Sequence, residues 1–166
     1  MILAHFNIAT ELQTNNMSTT SGLGHAIRCL NLLSQLKEDY LVCINKSYIS
    51  KNFIISKKIK YIFEEDLNNF LKCNKVSLII SDINYLKQNF INIYKRFNLT
   101  VVCLAGRGSF KNKAHLAFQD VFFEIKKDIY NINNKSKIFR GPRFAIIRKS
   151  IINEKKNINI KYIKHN

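Results

Sequence analysis

The densest concentration of chemistry in the chain is Ser21-Gly22-Leu23-Gly24-His25-Ala26-Ile27-Arg28-Cys29-Leu30. It reads as a strand–loop–helix junction with two glycines and a histidine at the start of the helix. Glycine lets a backbone come close to a ligand. The free N–H groups and positive dipole end of a helix attract anions such as phosphate. At that end the dipole disfavours a charged imidazole, so His25 is placed to accept a proton near neutral pH. Arg28 stands three residues on, and the two side chains can face the same side of a helix. Spacing alone leaves a plainer alternative open, in which Gly22 and Gly24 form a tight turn and His25 caps the helix. A G-x-G pair is common, and the third glycine of a dinucleotide-binding fingerprint is absent.

Two further positions invite chemistry. Asp82 follows an apolar run and either orients His25 or caps a helix starting near Tyr85. Arg107, between Gly106 and Gly108, either meets a phosphate or carboxylate or is a turn residue facing water. His5 lies within the first strand and reads as structural, His115 as a surface residue, and His165 falls in the tail. Arg148 reads as a structural ion-pair partner. The histidines lack metal-ligand spacing, so neither a catalytic metal nor a cofactor is expected.

These residues need elements to hold them. Residues 1–8 read as a strand and 10–21 as a polar loop. Leu23, Ile27, Leu30, Leu33 and Leu36 recur at helical spacing, which leaves Arg28, Asn31 and Gln35 on other faces. Strands are expected over 40–44, 58–63, 76–80 and 99–104, with helices over 64–73 and 85–97. Residues 120–125 and 144–147 are two further strand candidates. Alternating strands and helices predict an α/β fold: a Rossmann-like, mainly parallel sheet with helices on both faces. Ligands bind such sheets at the carboxyl ends of the strands. The 10–25 loop, residues 82–85 and residues 105–109 are therefore expected to line one cleft.

Composition narrows the classes. The 166 residues suit one domain, able to bury roughly two-thirds of its unfolded surface. Hydrophobic residues at 46% and charged residues at 23% exclude a disordered chain. A net charge of +16 would suit nucleic acid or an acidic surface. Lysines scattered through every segment, with no nucleic-acid-binding motif or arginine stripe, argue against a nucleic-acid partner. Cys29, Cys43, Cys73 and Cys103 fit neither a zinc module nor a disulfide framework, which points to a reduced, cytoplasmic setting. The N-terminus lacks signal-peptide features, and no stretch reaches the roughly 20 apolar residues of a membrane span.

The block GLGHAIRCLNLL, residues 22–33, resembles the G-x-G-H-x-x-R-x-L-x-L motif of the pseudaminic-acid-pathway UDP-sugar hydrolases and their spore-coat polysaccharide relatives. Those proteins are similar to the N-terminal half of MurG-type GT-B glycosyltransferases. A second block, Gly141-Pro142-Arg143-Phe144-Ala145-Ile146-Ile147-Arg148, is similar to the family's G-P-x-Y-A-L-L-R, and the strand before Asp82 matches in position. The resemblance implies that His25 is the general base, activating water against the anomeric carbon of a UDP-linked amino sugar. It implies that Gly22 and Gly24 shape the pocket beside the sugar and diphosphate. Arg28, Asp82, Asn84, Tyr85 and Arg107 are the further candidate substrate contacts, with Asp82 on His25 or on a sugar hydroxyl. Asn84 stands where the family tends to carry an aromatic residue, and Ala105-Gly106-Arg107-Gly108 where it often carries paired aspartates.

By the same resemblance, residues 1–150 form the N-terminal GT-B domain. Residues 151–166 form a basic linker toward a second Rossmann-like domain or subunit. Two alternatives stand beside the hydrolase: a glycosyltransferase half acting with a partner subunit, and a non-enzymatic basic binding domain.

Overall fold

The computed structural model describes residues 1–8, 23–83, 86–104, 114–119, 137–140 and 145–147. Seven strands make one sheet: β1 (Ile2–Phe6), β2 (Tyr40–Ile44), β3 (Tyr61–Phe63), β4 (Leu78–Asp82), β5 (Thr100–Leu104), β6 (Leu116–Gln119) and β7 (Lys137–Arg140). Their spatial order is β3-β2-β1-β4-β5-β6-β7, and every neighbouring pair is parallel. This is the Rossmann-like α/β fold expected from the alternating pattern. From β1 the chain winds outward through β2 and β3, then returns to lay β4 on the other side of β1. The order therefore reverses between β1 and β4, where open α/β sheets form their ligand crevice.

Alternation along β1 sorts its side chains onto two cores. Ile2, Ala4 and Phe6 join the core under α1 (Leu23–Leu33) and α2 (Tyr48–Ser56). Leu3 faces the other core, under α3 (Leu67–Cys73) and α4 (Gln88–Arg96). A sheet covered on both faces explains the continuous apolar runs of β2, β4 and β5.

His5 is fully buried on the α3/α4 side. Its Nε2 lies 2.8 Å from Glu64 Oε1, and its Nδ1 is hydrogen-bonded to the Tyr94 hydroxyl. Phe90 packs edge-on against the ring at 4.9 Å. Just past β1, Asn45 clasps the chain: Ile8 N–H donates to its Oδ1 at 3.1 Å, and its Nδ2 donates to the Ile8 carbonyl at 3.3 Å.

Several expectations shift in detail. The stripe on α1 is Ala26, Cys29 and Leu33, all fully buried, whereas Leu23 and Leu36 are exposed. Small residues at Ala26 and Cys29 let the helix sit close on the sheet, and the rotation brings Arg28 inward. Asp82 is the last residue of β4 and not just beyond a strand ending at Ile80. β3 begins at Tyr61 because Lys58 takes a left-handed φ of 55°, which no strand accommodates. Helix α4 starts at Gln88 and not at Tyr85, because Lys87 is extended with ψ 145°.

Helix α2 was not anticipated. Only Ser50 and Ile54 of its nine residues are buried, too few to print a helical period; its signal is the cap, where Ser47 accepts from Ser50 N–H. The sequence also missed β6 and β7. Residues 145–147 form no strand, and 120–125 lie outside the described residues.

Burial pushes the Cys29 and Cys43 thiols well above their ordinary 9.0, and the Tyr94 hydroxyl well above its ordinary 10.0. Unfolding would release these protons once the pH passes those ordinary values. The three groups thus contribute stability that is complete below about pH 9 and falls as the pH rises further. A urea midpoint that declines between pH 8 and pH 10.5, beyond any change in salt, is the expected result. Replacing Tyr94 by Phe should remove part of that decline. At neutral pH the same change should cost about 1–3 kcal/mol, because His5 Nδ1 is left buried without a partner.

Candidate functional site

At the switch point the chain leaves β1, enters α1 at Leu23, and brings the first turns of that helix over the carboxyl end of β4. Asp82 closes β4, in register with Phe6 of β1, and its side chain has no solvent exposure. A carboxylate so placed needs strong donors to offset lost hydration. Arg28 supplies a fork: Nε donates to Oδ2 at 2.7 Å and Nη2 to Oδ1 at 2.7 Å. His25 Nδ1 lies 2.7 Å from Oδ1.

The hydrogen-bond roles follow from the acceptor. An ionised carboxylate only accepts, so the His25 Nδ1 carries the proton and donates it to Asp82. Arg28 Nη2, 3.1 Å from the same ring nitrogen, is then a neighbouring donor that shares Oδ1. A neutral His25 held this way has its lone pair on Nε2. The side chain is 13% exposed, against 0% for Asp82 and 21% for Arg28, so the dyad opens toward solvent at the imidazole. Such a group can take a proton from a bound water or hydroxyl.

Gly24 lies in the first turn of α1, and a Cβ built there meets no described atom within 4 Å. Among the described residues, neither packing nor a left-handed backbone demands glycine at this position. Of the residues expected at the site, the fold brings together His25, Arg28 and Asp82, with Gly24 alongside. Gly22, Asn84, Tyr85 and Arg107 lie outside the described residues.

No family model, curated protein or solved structure matches the chain. The site therefore rests on its own geometry. Cys29, beneath it on α1, is buried, and its thiol is pushed up by burial first and by Asp82 second, while Arg28 opposes. It is a packing residue. Among the described residues no three His, Cys, Asp or Glu side chains gather as a metal set. No helix among them is long and apolar enough to cross a membrane.

Sequence reasoning placed Arg28 on another face of the helix and so missed its fork onto Asp82. The signal was present in the small Ala26 and Cys29, which mark the face that approaches the sheet. His115, read as a surface residue, is exposed, yet its Nδ1 accepts from Val101 N–H at 3.0 Å and ties the start of β6 to β5.

Two outcomes test this geometry. Arg28→Ala should destabilise the fold by about 3–5 kcal/mol, because it leaves the buried carboxylate uncompensated. Asp82→Ala should cost less, because Arg28 can turn its head to water. Chemical denaturation of both variants reads the order directly. Gly24→Ala should keep or raise the unfolding midpoint, since helices favour alanine; impaired ligand binding in that stable variant would mark the position as functional.

Proposed function

We propose that this chain is the sugar-side domain of a nucleotide-sugar hydrolase, with His25 as general base. One observation carries the proposal: the buried Asp82 carboxylate holds His25 Nδ1–H at 2.7 Å and leaves Nε2 available at the switch-point edge of a parallel sheet. The resemblance of residues 22–33 and 141–148 to the UDP-sugar hydrolase motifs supports the same reading and supplies the substrate class.

In that reaction a water hydrogen-bonded to Nε2 attacks the anomeric carbon. Its proton passes to Nε2 as the new C–O bond forms. The anomeric C–O bond to phosphate breaks, and UDP departs with the electron pair. Asp82 stabilises the imidazolium that forms and keeps the ring oriented. The open N-terminal turn of α1, with Gly24, offers N–H groups and a positive dipole end to the diphosphate. A second Rossmann-like domain or subunit would hold the rest of the nucleotide.

The test is UDP release from a UDP-linked amino sugar. It is run with the chain alone and with the polypeptide encoded beside it. His25→Ala should lower turnover by about 10²–10⁴-fold with the unfolding midpoint unchanged. Turnover retained in that variant, or no turnover by the parent in either setting, would remove the proposal. Release that depends on an added sugar acceptor would assign the same base to glycosyl transfer.

A further inference from the structure

Three features lie beyond the base itself: the Glu64–His5–Tyr94 network, an open pocket between α4 and the starts of β5 and β6, and the Arg28 fork. The first has both imidazole nitrogens occupied and no exposure at His5. The second is lined by Lys95, Asn98 and His115 at the amino end of the strands, with nothing that selects a ligand. The third goes further.

We infer that Arg28 is a positioning residue: by fixing the Asp82 carboxylate it sets the tautomer and the orientation of the His25 ring. The inference deepens the proposed function and rests on it for its catalytic consequence, but the effect on His25 stands on the geometry alone.

A buried carboxylate facing an imidazole does not by itself fix the ring. It can orient the ring through Nδ1–H, but only if the carboxylate itself is held in one place. Arg28 holds it. Its Nε and Nη2 take one oxygen each at 2.7 Å. Nη2 also stands 3.1 Å from His25 Nδ1, so the guanidinium lies against the ring nitrogen that faces the carboxylate.

The fork fixes the carboxylate plane as well, because two parallel N–H groups leave it one orientation. In that orientation Oδ1 has its remaining acceptor site toward Nδ1. The helical spacing makes the arrangement local: His25 and Arg28 are one turn apart on α1, so one element delivers both donors to one oxygen. Among the described residues, the ionisable groups within hydrogen-bond distance of the ring are Asp82 from β4 and Arg28 from α1, and Cys29 lies near that pair. Cys29 stays a neutral thiol because burial pushes it up.

Arg28 was expected to contact substrate, and the two roles separate experimentally. Imidazole ¹⁵N NMR of the full chain, with no substrate present, reads the tautomer of His25. The parent should carry its proton on Nδ1 at alkaline pH. Asp82→Asn should lose that preference, since an amide can donate to Nδ1. Arg28→Gln should mix the tautomers.

Arg28→Lys, which keeps the charge and loses the fork, should mix the tautomers as well. It carries the test if Arg28→Gln does not fold. Spectra of Arg28→Gln and Arg28→Lys that both match the parent's would overturn the inference, as would Arg28→Lys matching it while Arg28→Gln is unfolded. If UDP-sugar turnover is absent in the parent, the NMR result still decides the role of Arg28. Where turnover is present, Arg28→Lys should lower kcat about tenfold or more with little change in KM; a raised KM with an unaltered His25 spectrum would assign Arg28 to substrate instead.

Discussion

The carboxylate of Asp82 is the constraint on which this end of the molecule depends. A fully buried negative charge at the end of a central strand is tolerable only where donors converge on it. Both donors come from α1, so the charge dictates where that helix lies and which way it is turned. Ala26 and Cys29 make the approach possible by presenting little volume to the sheet. The helix that follows β1 is thereby tied to β4, across the point where strand order reverses.

The two histidine networks sit back to back. His5 pairs in register with Ser81 and points to the α3/α4 side, while the next row, Phe6 with Asp82, faces α1. His5 gives one nitrogen to Glu64 and the other to Tyr94 and keeps no lone pair for a ligand. His25 gives one nitrogen to Asp82 and stands partly exposed. The same side chain is thus tied through both nitrogens on one face and through one on the other. The difference lies in how many of its nitrogens the protein occupies, and in whether water can reach the ring.

Much of this was legible in the chain. The apolar runs at 40–44 and 99–104 match β2 and β5 closely, because strands buried on both faces need apolar side chains throughout. The α/β class followed from alternation. The glycine–histidine junction and the i+3 placement of Arg28 marked the start of α1 as the chemical segment. Helix α2 was not legible, because a short helix with two buried residues leaves no periodic trace. The strands β6 and β7 escaped for a similar reason, being four residues each among Lys- and Asn-rich flanks.

The sequence by itself determined the fold class, the position of His25 at a helix start, and Asp82 at a strand end. These depend on local pattern: hydrophobic period, glycine punctuation and the length of apolar runs. Only the tertiary structure decided that Asp82 would be buried, that α1 would turn Arg28 inward, and that one carboxylate would take both donors. Those outcomes depend on parallel pairing of β1 with β4, segments separated by more than seventy residues. Their side-chain geometry comes from packing α1 onto the sheet at β4, which no local window of residues encodes.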